Sequence, residues 1–101
     1  MTSTYSFENR GGDIFCGIEK LKSYISENNC KTLDIDISSL NFIDAMKVCV
    51  LCSTFHFAKY LDGRLRWLVK DEIVKSQIKP MRLINVDIET RSEFTELSKI
   101  A

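Results

Sequence analysis

The chain has no net charge: fourteen lysines and arginines offset fourteen aspartates and glutamates over 101 residues. That excludes the basic footprint of a nucleic-acid-binding protein and leaves a domain prone to self-association. It has no long apolar run either. The longest, residues 48–52, is too short to cross a bilayer. Residues 1–8 are polar and lack the apolar segment of a secretory leader, so a cytoplasmic location is expected. Internal repeats, linkers and low-complexity tracts are missing, which points to one domain over residues 1–101. A local absence is as informative. No Ser, Thr, Cys or His occurs in residues 44–48, so the tip of the second predicted helix carries no nucleophile and no phosphate acceptor.

What is present can fill a core. Forty-five per cent of the residues are hydrophobic, enough for a globular domain rather than a disordered tail. Four cysteines, Cys16, Cys30, Cys49 and Cys52, are expected as reduced thiols acting mainly as small hydrophobes.

Periodicity orders the chain. Residues 4–7 suit a short edge strand, and Asp13 is placed to cap a helix over residues 14–28. Its apolar positions, Ile14, Ile18, Leu21 and Ile25, fall on one face, and Asn28-Asn29 is a natural stop. Residues 32–37 alternate strictly, with Leu33, Ile35 and Ile37 on one face and Thr32, Asp34 and Asp36 on the other. After a loop at 38–41, a helix is expected from Asp44 to about Leu61, ended by Asp62-Gly63. This helix has no clean polar face, the mark of one that is buried or lies under a partner. Arg64–Val69 reads as the next strand. A third helix capped by Asp71 runs to about Lys79, where Pro80 disrupts it. Residues 81–88 hold a short last strand, and Thr90-Arg91-Ser92-Glu93 opens a closing helix carrying Phe94, Leu97 and Ile100 on one side. Strands alternating with helices imply an α/β fold: a mainly parallel four-stranded sheet with about four helices.

Several residue groups invite a chemical reading. Asp44 at a helix amino end, just past a strand's carboxyl end, lies where open α/β sheets meet ligands and partners. There it is expected to accept bonds from the first-turn N–H groups. Ser38, Ser39, Asn41, Asp44, Ala45, Met46 and Lys47 together form the candidate partner-binding rim, with Met46 as an adaptable contact. Cys49, Cys52 and His56 share one side of a helix and could supply three metal ligands or a reactive thiol, although no fourth ligand is evident. Core packing explains them as well. Asp34, Asp36 and Asp44 raise a receiver-type Mg²⁺ site, against which Asp34 and Asp36 sit within one strand. Ser38 and Ser39 are either substitute phosphorylation sites or turn formers. Arg64 and Arg66 either bind an anion or line a solvated strand face.

The run Leu33-Asp34-Ile35, then Phe42-Ile43-Asp44, an apolar helix over residues 48–60, the Asp62-Gly63 turn, and a strand within 65–69 resembles the STAS domain of bacterial anti-sigma-factor antagonists. The resemblance implies a STAS-like single domain that works by protein–protein contact, with no catalysis and no cofactor. Its partner would be an anti-sigma factor or GHKL-type kinase. In that family a partner kinase phosphorylates a Ser or Thr just after the Asp. Here Ala45 and Met46 stand in those places and Lys47 replaces the glycine that follows, so the usual phospho-switch has no acceptor. The resemblance also admits a structural subunit of a lipid-transport or other multiprotein complex. Neutral charge and the apolar second helix leave a homodimer open.

Overall fold

The computed structural model describes residues 3–7 and 13–90. In chain order the elements are β1 (Ser3–Ser6), α1 (Ile14–Glu27), β2 (Thr32–Asp36), α2 (Phe42–Lys59), β3 (Arg64–Val69), α3 (Glu72–Ile78), a 3-10 turn (Lys79–Met81) and β4 (Val86–Thr90). Each α-helix starts at a side-chain cap. Asp13, Asn41 and Asp71 accept from the backbone N–H of Phe15, Asp44 and Val74 at 3.0, 2.9 and 3.0 Å. α1 stops where Asn29 turns left-handed, and Asn28 Nδ2 donates to the Tyr24 carbonyl.

The four strands form one all-parallel sheet in the order β1-β2-β3-β4. Right-handed crossovers, the rule for parallel strands, put the described helices on one face when every step runs the same way. The register makes that face apolar: Tyr5 pairs with Ile35, Ile35 with Trp67 and Trp67 with Ile88, while Leu33 pairs with Leu65 and Leu65 with Val86. Tyr5 meets Tyr24 of α1 with ring centroids 4.8 Å apart, and Trp67 Nε1 donates to Ser53 Oγ of α2 at 3.1 Å. Val74 and Ile78 of α3 belong to the same buried cluster, against which Val86 and Ile88 pack.

The opposite face carries Thr4, Ser6, Thr32, Asp34, Asp36, Arg64, Arg66, Asp87 and Glu89, interrupted by the buried Leu68. Parallel sheets are normally covered on both faces and read as continuous apolar runs. The strict alternation of β2 instead matches a sheet with one apolar side.

Three α-helices are present among the described residues, against about four expected. The closing helix expected after Thr90 lies outside them, and Thr90 itself ends β4. The last strand begins later than expected. Pro80 sits in the 3-10 turn, and Arg82 and Asn85 take left-handed backbone (φ 50° and 57°), so the chain extends only from Val86.

Candidate functional site: the amino end of the second helix

α2 begins at Phe42, two residues before the expected start. The expectation that Asp44 caps it is corrected: Asn41 is the cap, and Asp44 is the third helical residue. Asn41 Oδ1 accepts from Asp44 N, while Asn41 Nδ2 lies 3.4 Å from Asp44 Oδ2. The two residues thus hold each other, through the Asn41 side-chain amide in place of the backbone N–H that a capping box uses.

The preceding loop is tied down by the two serines. Ser38 Oγ and Ser38 N both donate to Asp36 Oδ1, at 2.6 and 2.9 Å. Ser39 Oγ donates to the Phe7 carbonyl at 3.2 Å, linking the loop to the end of β1. The Ser38 hydroxyl is the turn former, and the Ser39 hydroxyl is a tether between the loop and β1.

The expected rim is therefore only partly assembled. Asn41 and Lys47 are exposed, Ser39 is exposed, and Ser38 and Asp44 are half-buried. Ala45 is corrected to a core position, 1% exposed, because its place on the helix points at the sheet. Met46 is half-buried and packs against the core rather than projecting as a free contact.

The rim also has residues that the sequence reading passed over. The second residue of each helix is a large exposed hydrophobe: Phe15 in α1 (51%), Ile43 in α2 (61%) and Ile73 in α3 (71%). Phe42 is 37% exposed beside Ile43. All three helices start at the carboxyl ends of strands, so these side chains crown one end of the sheet. Lys47 Nζ lies 5.6 Å from the centre of the Phe15 ring, joining the tips of α1 and α2. A signal existed: Phe15 falls outside the Ile14-Ile18-Leu21-Ile25 stripe, and a large apolar residue off the core stripe faces water.

The thiol and metal constellation separates on inspection. Cys49 and Cys52 are wholly buried on the sheet-facing side of α2. Burial pushes the Cys49 thiol up, and pushes Cys52 up to about 12. His56 Nε2 lies 2.8 Å from the Cys30 carbonyl. A carbonyl only accepts, so Nε2 carries the proton and donates, and it is not offered as a ligand. Among the described residues no group of three His, Cys, Asp or Glu side chains converges as a metal site. The receiver-type triad is dispersed likewise: Asp34 pairs with Arg66, Asp36 accepts from Ser38, and Asp44 faces Asn41.

A thiol count follows. Cys16 alone is exposed, so one of the four cysteines is expected to react with a thiol reagent in the native protein, and all four after unfolding. Rapid modification of three or more would show that α2 opens, because Cys16 and Cys30 lie outside it. The sign of the pH effect is set by the raised values. Ionised thiols are favoured only in the unfolded chain, so this contribution to stability is complete below the ordinary value of 9.0 and is lost as pH rises toward about 12.

The arginines on the polar face are also engaged. Arg64 grips Asp87 through Nε and Nη2, at 2.7 and 2.9 Å. Arg66 Nε donates to Asp34 Oδ1 at 3.1 Å, Arg66 Nη2 donates to Asp34 Oδ2, and Nη1 lies 3.6 Å from Glu89. These carboxylates occupy the guanidinium faces that an incoming anion would need. No helix among the described residues is long and apolar enough to cross a membrane. Comparison of the chain with protein-family models, with curated proteins and with solved structures gave no match in any of the three.

Proposed function

We propose that the chain is a non-catalytic, cytoplasmic protein–protein interaction module that meets its partner at the carboxyl end of its sheet. The observation carrying this reading is the crown of Phe15, Phe42 and Ile43 around Asp44 and Lys47, set on capped helix ends. Anchors of this type, large and apolar beside a few charges on rigid elements, are what a binding surface offers. The resemblance to anti-sigma-factor antagonists supports an anti-sigma factor or GHKL-type kinase as partner. With Ala45 and Met46 in place of hydroxyls, the surface avoids the charge of about −2 that a phosphate would bring. The module is then always competent to bind. The same surface suits a fixed subunit of a lipid-transport or other multiprotein complex, whose regulation lies in another component.

The test is affinity capture from the native cytoplasm, followed by titration of the captured partner. Ile43→Asp and Asp44→Lys are the variants of choice, because Met46 packs partly on the core and its replacement would disturb folding. Each change puts a charge or a charge reversal into the interface and is expected to weaken binding by about 100-fold, with the circular dichroism of the free protein unchanged. Retention of the same partner by both folded variants would place the working surface elsewhere. The partner's identity separates sigma regulation from a transport complex.

A further inference from the structure

β4 has an unguarded margin. The Asn85 carbonyl accepts from Leu65 N at 3.1 Å, and main-chain groups alternate between the two sides of a strand. Asn85, Asp87 and Glu89 therefore bond to β3, while Val86 and Ile88 point their N–H and C=O groups away from it. No described strand lies beyond them. Edge strands are commonly shielded by a proline, a lysine or a bulge. β4 has none of these, and its five residues pair with β3 in unbroken register. Between this margin and α3 lies a cavity of about 310 Å³. Its apolar wall includes Ile78, Leu83, Val86 and Ile88. Lys79 and Arg82 also line it, and both belong to the connection that leads into β4.

The backbone holds these two cations side by side. Lys79 opens the 3-10 turn, and Arg82 closes it in left-handed conformation (φ 50°), its N–H donating to the Lys79 carbonyl at 3.2 Å. Left-handed backbone is uncommon at an arginine, and such departures gather at functional sites. Asn85 Nδ2 fastens the same connection to the Leu61 carbonyl at 3.1 Å. Lys79 and Arg82 are exposed, and neither has an ion-pair partner among the described residues. The carboxylates of β4 do not neutralise them. Asp87 is gripped by Arg64, and Glu89 lies 3.6 Å from Arg66.

We propose that this groove receives the carboxyl-terminal tail of a partner protein, added antiparallel to β4 as a fifth strand. Extended main chain is what satisfies the outward groups of Val86 and Ile88. Small apolar side chains on one face of the tail enter the cavity beside Ile78 and Leu83. Antiparallel pairing brings the end of the tail to the start of β4, where its carboxylate meets Lys79 and Arg82. Otherwise parallel sheets often carry an antiparallel strand at one edge. The groove shares no residue with the partner-binding rim of α2, so the two stand or fall separately.

Amide hydrogen exchange, followed residue by residue by NMR as peptide is added, tests the inference. The probe is an acetylated synthetic hexapeptide that alternates threonine with valine and ends in a free valine carboxylate. In the chain alone the Val86 and Ile88 amides are expected to exchange quickly, and saturating peptide should slow them by about tenfold or more. The same peptide ending in an amide should bind about tenfold more weakly. Lys79→Glu combined with Arg82→Asp should weaken binding of the carboxylate peptide by at least about tenfold. Aspartate tolerates the left-handed backbone at position 82, and circular dichroism confirms that the variant is folded. Val86 and Ile88 amides already protected without peptide overturn the inference, because another part of the chain or a second copy then holds the edge. So does exchange unmoved by millimolar peptide, or equal affinity for the peptide amide.

Discussion

Replacing Arg66 with alanine is expected to destabilise the fold by about 3–5 kcal/mol. The guanidinium stands at the centre of the polar sheet face, where it joins three strands: its own β3, β2 through Asp34, and β4 through Glu89. Asp34 is only 8% exposed. Removing the cation leaves a nearly buried carboxylate without its bidentate donor, and a second carboxylate close by. The loss comes mainly from that abandoned charge, not from the attraction itself. The hydrogen bonds to Asp34 raise the Arg66 pKa above its ordinary value. Because the folded value is raised, Arg66 stays protonated throughout the neutral and mildly alkaline range, and its own titration takes the contribution away only at pH above its ordinary, strongly alkaline value. Urea denaturation near neutral pH is therefore the suitable measurement. Asp34→Asn in the Arg66→Ala background should recover part of the loss, because it removes the stranded charge. A cost below about 1 kcal/mol for Arg66→Ala would show a pair no stronger than one in open solvent.

Gly63→Ala is expected to cost about 2–4 kcal/mol, for reasons of space. A Cβ at this position would stand 2.6 Å from the Lys31 carbonyl oxygen, 2.6 Å from His56 Cε1 and 2.9 Å from Tyr60 Cβ. Neither of the nearest walls yields readily. The Lys31 carbonyl accepts from Arg64 N at 2.9 Å, beside the first rung of the β2–β3 pairing. The His56 ring is pinned by its bond to the Cys30 carbonyl and leans on Tyr60, ring centroids 5.3 Å apart. His56 is thus a peg between α2 and the start of β2, and Gly63 is the notch it fits. Thermal unfolding followed through Trp67 measures the effect. His56→Ala removes one wall only, so adding it to Gly63→Ala should not restore stability. A change within about 0.5 kcal/mol would mean that the turn relaxes at little cost.

The strands and helices were legible where one period dominated. Arg64–Val69 is the observed β3, α1 ends one residue short of the expected stop, and the caps Asp13 and Asp71 are as expected. The start of α2 was misplaced because two capping residues stand three apart. Asn41 and Asp44 each suit the position, and only the backbone shows that Asn41 fills it. The inward turn of Ala45 was legible in the spacing, since it stands three, four and seven residues before the buried Val48, Cys49 and Cys52. The alternation of β2 and β3 foretold two unlike sheet faces. The partners of Arg64 and Arg66 depend on register with β4, which periodicity does not fix. The role of His56 was out of reach for a similar reason. Its partner is a main-chain carbonyl of Cys30, and a backbone acceptor leaves no mark in the residue types.

The sheet order repeats the chain order, so every strand pairs only with the strands before and after it. No segment has to be threaded between two neighbours already in place. As the chain leaves the ribosome, β1, α1 and β2 can associate before β3 exists, and each later β-strand is laid on an open edge. Assembly can proceed as growth from one side, with modest loop-closure cost at each step. Parallel sheets that insert a late strand at the centre lack that route. The same order leaves β1 and β4 at opposite margins of the described sheet, so a direct link between these two strands would have to span its full width.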